Sequence, residues 1–171
     1  MEAVGGLLIV APGAGPLIDI GGLGVQFKIW GETTAGGLSI VEHPMAPGRL
    51  VPPHVHHRED ELSYVLEGTF GVRVGDQIAT AGPGSYVYKP KGIPHTFWNA
   101  GPAAARLIEI IWPAGFERFF EKLGEAASTA GSPAEFDARR TQLGADYQLG
   151  FLSEWIEELK GRYQLKLLGE P

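Results

Sequence analysis

The sequence predicts an all-β fold, an antiparallel sandwich or barrel, followed by a C-terminal helical extension. Over residues 1–113, short runs of β-branched and aromatic residues alternate with glycine and proline, which is typical of many short strands joined by tight turns. After Pro113 the apolar residues recur at every third or fourth position, which is the period of a helix. We therefore assign residues 1–113 to a β domain and residues 114–171 to a helical extension that packs on the same domain.

The predicted strands show the alternation of half-buried sheet. In the run from 70 to 74, apolar residues alternate with Gly71 and Arg73, so that one face is apolar and the other is not. Glu67-Gly68 and Gly75-Asp76 flank this run as hairpin turns. The predicted strands are 25–30, 38–42, 61–66, 70–74, 85–88, 95–98 and 106–112.

Three amphipathic helices are predicted in the extension. Apolar residues at 116, 119, 120 and 123 form one stripe, and a second stripe runs from Leu152 to Tyr163. Between them, Ser132-Pro133-Ala134-Glu135 has the sequence of a helix start, with serine as the N-cap. The helices could pack on the outside of the β domain, on a partner chain, or over the mouth of a barrel.

Composition and charge narrow the possible functions. The chain has 171 residues and a net charge of −6, which argues against binding to nucleic acid or to anionic membranes. It has no cysteine, which excludes disulfides, thiolate nucleophiles and iron–sulfur clusters, so that any metal must be held by histidine and carboxylate. The apolar run at 5–11 lacks a preceding basic region and is too short to span a membrane. We interpret it as a first strand and expect a cytoplasmic protein.

The histidines cluster within one short window of the sequence. His54, His56 and His57 are followed by several acidic residues. In an extended strand His54 and His56 point to the same face, where two imidazoles could bind a first-row metal ion. Glu61 opens the next predicted strand and could add a carboxylate. The alternative is a polar surface loop whose charges cancel.

The spacing around this window resembles a known family. Two motifs, Gly-x5-His-x-His-x4-Glu-x6-Gly and Gly-x5-Pro-x-Gly-x2-His-x3-Asn, are matched at every fixed position. They are the two motifs of the cupin superfamily, whose members are double-stranded β-helix (jelly-roll) barrels that hold a metal inside. The matching residues are Gly48, His54, His56, Glu61, Gly68, Gly84, Pro90, Gly92, His95 and Asn99.

The resemblance implies a metal site formed by His54, His56, Glu61 and His95. Three imidazoles and one carboxylate around a divalent ion leave coordination positions open, as in a catalytic site. This donor set suits Fe, Mn, Ni, Co, Cu or Zn and does not distinguish among them.

Expectations for the neighbouring residues follow from alternation. His57 points away from His56, as a surface residue or an outer hydrogen-bond donor. Glu59 and Asp60 are expected to face solvent and to pair with Arg58. The interior is expected to be apolar with few cations, which argues against a phosphorylated or strongly anionic substrate. His43 is predicted to have a structural role or to form a pocket wall. Glu109 needs a partner if it is buried. The candidate walls of a substrate pocket are Phe97, Ser63, Trp30, Phe27 and Met45.

Within the cupins, residues 53–61 and 64–68 resemble the quercetin dioxygenase-like single-domain group. That resemblance implies a divalent metal, a flavonol-type or other enolizable aromatic substrate, ring cleavage by dioxygen, and Glu61 as the catalytic base. Two alternatives stay open: a metal-dependent isomerase or lyase acting through an enediolate, and a non-catalytic module that binds a small molecule. We expect a homodimer, built by exchange of the strand at 5–11 or through Trp155, Ile156 and Leu159.

Overall fold

The computed structural model describes residues 6–171, and this part of the chain forms thirteen strands, three α-helices and one 3-10 helix. The strands are β1 (Leu17–Asp19), β2 (Gly24–Ile29), β3 (Ser39–Met45), β4 (Arg49–Leu50), β5 (His54–His56), β6 (Asp60–Glu67), β7 (Phe70–Val74), β8 (Gln77–Ala81), β9 (Tyr86–Lys89), β10 (His95–Asn99), β11 (Ala105–Trp112), β12 (Leu149–Phe151) and β13 (Lys166–Leu167). The helices are the 3-10 helix Gly31–Thr34, α1 (Glu117–Thr129), α2 (Pro133–Asp146) and α3 (Ile156–Tyr163).

The strands form two sheets. The first has the order β1-β2-β3-β11-β6-β9, and the second has the order β12-β5-β10-β4-β13 with β7 beside β10 and β8 beside β7. Both sheets are antiparallel except for the parallel pair β13 and β4. Side chains of both sheets share one apolar cluster, which contains Met45 and Leu107 from the first sheet and Phe70 and Phe97 from the second. The predicted all-β jelly roll with a C-terminal extension is therefore confirmed.

The inner face of the first sheet carries several polar side chains. Along β6 and β11 buried residues alternate with partly exposed ones, as the period of a strand requires. The strand register sets Ile111 opposite Glu61, Glu109 opposite Ser63, and Leu107 opposite His43. Four polar residues, Glu61, Ser63, Glu109 and His43, therefore lie on one wall of the fold.

Helix α1 covers one end of this wall. Phe116 and the buried α1 residues Phe119, Phe120 and Leu123 pack in one cluster with buried residues of β2, β3 and β11. The stripe predicted from the 3.6-residue period is thus the buried face of α1. Helix α2 begins as predicted, because Ser132 Oγ accepts a hydrogen bond from the backbone N–H of Glu135.

The extension also adds two strands to the second sheet, which the sequence analysis does not predict. Strand β12 pairs with β5, and β13 pairs with β4. On α3, Leu159 is fully buried against Leu50 and Trp98, with Trp155 packed beside them. The apolar face proposed for contact with a partner chain therefore contacts the chain's own second sheet.

The prediction of a strand at 5–11 is wrong for residues 6–11, which the structure describes. Gly5 lies outside the described residues, and from 6 to 11 the chain has a turn, an isolated bridge at Leu7 and irregular backbone. Leu7 and Ile9 are 67% and 74% exposed. None of the helices in the described part of the chain is both long and apolar enough to cross a membrane.

Gly71 provides a test of packing between β7 and β10. A Cβ on Gly71 would lie 2.0 Å from Cε2 of Trp98, which is itself 2% exposed. We expect Gly71→Ala to lower the free energy of unfolding by about 3 kcal/mol, because the indole has no room to move. Denaturant unfolding measures this. Gly82→Ala is the control, since its added Cβ would meet nothing within 4 Å, and equal stability of the two variants would contradict the expectation.

Candidate metal centre

Pairing of neighbouring strands brings the four residues implied as ligands together. His54 and His56 lie on β5, Glu61 on β6 and His95 on β10, where His95 pairs directly with His54. Each residue offers one donor atom, and these atoms all lie within 4.8 Å of one another. His54 is partly buried, whereas His56, Glu61 and His95 are exposed by 3% or less.

Glu61 lies at the centre of the cluster. Its Oε1 lies 3.3 Å from Nε2 of His56, and its Oε2 lies 3.1 Å from Nε2 of His95. The His54 ring packs edge-on to both other imidazoles, with centroids 5.0 Å from His56 and 4.5 Å from His95. The three rings and the carboxylate therefore surround one point.

Backbone carbonyls orient two of the imidazoles. Nδ1 of His54 lies 2.8 Å from the carbonyl of Pro52, and Nδ1 of His95 lies 3.1 Å from that of Ile93. A carbonyl only accepts, so each Nδ1 carries the proton and each Nε2 keeps its lone pair. Burial lowers the pKa of both rings, and Glu61 opposes the shift at each. A proton on a neighbouring imidazole would lower the pKa of His54 further. Neutral rings are the form that binds a metal.

A buried ammonium group connects Glu61 to a second carboxylate. Lys89 Nζ lies 2.9 Å from Glu61 Oε2 and 2.7 Å from Glu109 Oε2. Ser63 Oγ also donates to Glu109, at 3.0 Å. Lys89, Glu61 and Glu109 are exposed by only 2–3%. Lys89 is thus a buried cation that the sequence analysis did not identify, and Glu109 has the partner that its burial requires.

Lys89 lies between two carboxylates, and the pKa values of Glu61 and Glu109 shift in opposite directions. Burial acts to raise the pKa of Glu61, but Lys89 and the nearby imidazoles hold it well below its usual value. Burial raises the pKa of Glu109 to about 7, with Lys89 opposing the shift. Burial lowers the pKa of Lys89, but both carboxylates outweigh that effect and the net shift is upward. Near pH 7 the group therefore holds a charged Glu61 and a Glu109 that can carry a proton.

The cluster opens onto a cavity of about 530 Å³. The wall is predominantly apolar, with phenylalanine from β10 and α1. Lys89, Glu109 and His43 join three of the clustered residues, His54, His56 and Glu61, as polar groups on this wall. Residues 167–171 and parts of α2 and β12 also line it, so the extension closes over the cavity. A volume of this size accommodates a small organic molecule.

The candidate pocket walls fall into two groups. Phe97 lines the cavity as expected. Ser63 faces inward but its hydroxyl is occupied by Glu109, Met45 is fully buried in the apolar cluster between the sheets, and Trp30 stacks on Phe27 at 4.4 Å. These four residues do not line the cavity. Alternation along a strand gives the face of a side chain, but not its position along the barrel.

His43 is a cavity wall with a defined tautomer. Its Nδ1 lies 2.8 Å from the carbonyl of Gly24, so Nδ1 carries the proton and Nε2 is an acceptor. Burial lowers the pKa of His43 to about 4, and the charge of Lys89 adds to this effect, so the ring is neutral at pH 7. Its ring packs edge-on to Phe120 at 5.5 Å.

The acidic residues after the histidine pair do not behave as expected. Glu59 is 2% exposed, and its Oε2 lies 3.5 Å from Nδ1 of His56. Asp60 accepts hydrogen bonds from the Tyr88 hydroxyl and from a backbone N–H, and not from Arg58. The prediction that Glu59 faces solvent is therefore wrong, because the turn between β5 and β6 directs its side chain inward, although its Oε1 does lie 3.9 Å from Nε of Arg58. The predicted pairing with Arg58 is wrong for Asp60. His57 is exposed, as expected for a residue outside the cluster.

The donor set fits a divalent transition metal. Nε2 of His56 is fully buried and has no hydrogen-bond partner, although it faces the carboxylate of Glu61. Burying an imidazole nitrogen without a partner is unfavourable, and a cation between these groups would satisfy it. Three imidazole nitrogens and one carboxylate are ligands that ions of this class accept.

Comparisons with known proteins agree with the fold. Residues 42–111 match the family described as Cupin domain. Among curated relatives, a germin-like protein, subfamily T member 2, of Arabidopsis thaliana is 37% identical over 79 residues, which are 42% of this chain and 35% of that protein. Protein SchB of Streptomyces halstedii is 32% identical over 87 residues, which are 47% of this chain and 60% of SchB. The matched region thus spans a third to three fifths of these relatives.

Among solved structures, the polyketide cyclase RemF from Streptomyces resistomycificus is similar to this chain with a TM-score of 0.54 and 25% identity. The similarity covers 61% of this chain and 78% of RemF.

Proposed function

We propose that the protein is a metal-dependent enzyme acting on a small enolizable or aromatic molecule. Residues 42–111 match the cupin domain family, and a buried donor cluster adjoins an apolar cavity. The observation that carries this proposal is the convergence of three imidazoles and one carboxylate, whose donor atoms lie within 4.8 Å of one another, beside the cavity. His54, His56, Glu61 and His95 would hold the ion. When bound, it would supply Lewis acidity toward an oxygen of the substrate.

The chain's own residues provide the remaining chemistry. The phenylalanines of β10 and α1 bind an apolar substrate body and exclude water. Glu61 is the candidate base, since a carboxylate beside the ion can accept the proton of a substrate hydroxyl or enol. Lys89, 2.9 Å from Glu61, stabilises negative charge on this side of the cavity. Glu109, with its pKa raised by burial to about 7, can hold a proton next to Lys89.

The finer proposal is a dioxygenase that cleaves an enolizable aromatic compound such as a flavonol. Its support is the resemblance of residues 53–61 to the quercetin dioxygenase-like group and the aromatic lining of the cavity. Oxygen uptake by the metal-loaded protein with a flavonol panel tests it. Consumption that requires both the metal and Glu61 is the expected result, and no uptake with any loaded ion would refute it.

A second candidate is a non-oxidative reaction of an enolizable compound, such as isomerisation or cyclisation. It is favoured by the buried Lys89–Glu109 pair, which can exchange protons without an oxidant, and by the similarity to RemF, a polyketide cyclase. Turnover of the same compounds under strict anaerobiosis would identify this class. Tight binding without turnover in either atmosphere would instead identify a binding module.

Metal content is the first expected result. We expect purified protein, after incubation with Fe, Mn, Ni, Co, Cu or Zn, to carry about one ion per chain, because the cluster supplies a full donor set. His54→Ala and Glu61→Gln should lose that ion, since each removes one donor.

Elemental analysis after desalting measures the bound ion, and circular dichroism checks that each variant folds. His57→Ala is the matched control, because His57 is exposed beside the cluster. Wild-type protein that takes up none of the six ions would refute the metal-dependent proposals.

A further inference from the structure

Glu59 is a buried carboxylate that the proposed chemistry leaves without a role. It lies in the turn between β5 and β6 and is 2% exposed. Its Oε2 is fully buried without a hydrogen-bond partner, and its Oε1 lies 3.9 Å from Nε of the largely exposed Arg58. Burying a carboxylate without compensation costs several kcal/mol, so its position calls for an interaction.

The group facing Glu59 is the outer nitrogen of His56. Glu59 Oε2 lies 3.5 Å from Nδ1 of His56, and that nitrogen is also fully buried with no hydrogen-bond partner. This distance exceeds an ordinary N–H···O hydrogen bond by a few tenths of an ångström, which a small rotation of either side chain removes. Nδ1 of His56 and Oε2 of Glu59 are thus two buried groups that face each other. The first is a donor when it is protonated, and the second is an acceptor.

His56 differs from the other two histidines in the group that faces its Nδ1. In His54 and His95 a backbone carbonyl two residues earlier holds Nδ1, at 2.8 and 3.1 Å. For His56 a carboxylate takes the carbonyl's place. A charged acceptor forms a stronger hydrogen bond than a neutral one, fixes the proton on Nδ1 and makes Nε2 a better electron-pair donor.

The His56 ring is also held by packing. Phe116 contacts it edge-on, with ring centroids 4.3 Å apart. The imidazole therefore lies between a phenylalanine, the Glu61 carboxylate at Nε2 and the Glu59 carboxylate at Nδ1. In this position, reorienting the ring would move one of its nitrogens away from a carboxylate.

We propose that Glu59 is a positioning residue that orients His56 through Nδ1 and strengthens binding of a divalent transition metal at the four-residue cluster. This inference rests on the proposed metal-dependent function. The negative charge of Glu59 acts through the imidazole, so it changes the ligand field of the ion without contacting it.

The test uses Co²⁺ alone as the probe, with affinity measured by competition against a chromophoric chelator. Glu59→Gln keeps the size and an acceptor oxygen but removes the charge, and we expect it to bind Co²⁺ about 10–100-fold more weakly than wild type. The visible d–d absorption of bound Co²⁺ should shift as well, since it reports the ligand field, which a purely structural role would not change. Glu59→Asp restores the carboxylate and is expected to bind more tightly than Glu59→Gln.

Glu67→Gln is the charge-matched control, because Glu67 lies on the same strand as Glu61 but is exposed. It should bind Co²⁺ as wild type does. Unchanged affinity and absorption in Glu59→Gln, with wild type binding Co²⁺, would overturn the inference and leave the proposed function standing. Failure of wild type to bind Co²⁺ or any of the other five ions would overturn both. Should Glu59→Gln not fold, Glu59→Ala, which also removes the carboxylate, carries the test, and wild-type affinity and absorption in that variant would overturn the inference.

Discussion

Replacing Lys89 with methionine is expected to lower the free energy of unfolding at pH 7 by about 3–5 kcal/mol. Lys89 Nζ contacts Glu61 at 2.9 Å and Glu109 at 2.7 Å, and all three side chains are buried. Methionine fills a similar volume but leaves two carboxylates in the interior without a counter-charge. Desolvation of uncompensated charge is the main cost of breaking a buried ion pair.

Two further variants make this prediction specific. Lys91→Met removes an exposed ammonium two residues away and should change stability by less than about 0.5 kcal/mol. Lys89→Met combined with Glu109→Leu removes one of the two carboxylates left without a counter-charge, and this double variant should be more stable than Lys89→Met alone. Guanidinium unfolding of all three variants measures the effect. A Lys89→Met protein no less stable than Lys91→Met would show that the ion pairs contribute nothing.

The candidate metal cluster was predictable because its geometry is largely local. The alternation of β5 places His54 and His56 on one side, and the motif spacing brings Glu61 and His95 to the same place. Backbone hydrogen bonding between β5 and β10 then sets His95 opposite His54. Strand alternation and the resemblance to the two cupin motifs are therefore sufficient to predict most of the geometry of this cluster.

The polar wall around Lys89 was not predictable because it depends on register between strands distant in sequence. Lys89 reaches Glu61 since β9 pairs with β6 at these residues, and Ser63 meets Glu109 since β6 pairs with β11. The sequence showed that Glu109 would need a partner, but no local pattern identified Lys89. Met45 failed as a cavity wall for a related reason: it shares the inward face of His43 but lies farther along β3, among the apolar residues between the sheets.

The short strands of the extension were missed because they have too few residues to show a period. β12 has three residues and β13 has two, and both exist because β5 and β4 offer backbone groups for pairing. Their positions matter for function, since β12 and residues 167–171 line the cavity. The extension is therefore part of the candidate site, and substrate class depends on it as well as on the jelly roll.

Acid sensitivity is expected to come in part from His43. Burial lowers the pKa of this ring to about 4 in the folded protein, against 6.5 when it is exposed. Between pH 6.5 and pH 4 the unfolded chain therefore binds a proton that the folded chain excludes, and folding stability falls as the pH falls. Since a tenfold change in proton affinity is worth about 1.4 kcal/mol, the loss by pH 4 amounts to about 3 kcal/mol.

Comparison with a variant isolates this contribution. Glu109 has the opposite effect on stability. Burial raises the pKa of its carboxyl to about 7, so that its protonation stabilises the fold as the pH falls from 7. His43→Gln keeps an N–H that can donate to the Gly24 carbonyl but cannot titrate, while Glu109, His54 and His95 stay unchanged. Urea unfolding of both proteins from pH 7 to pH 4 should show the variant gaining about 3 kcal/mol relative to wild type. Parallel curves for the two proteins would mean that the folded protein takes up the His43 proton as readily as the unfolded chain does, and would contradict a pKa lowered by burial.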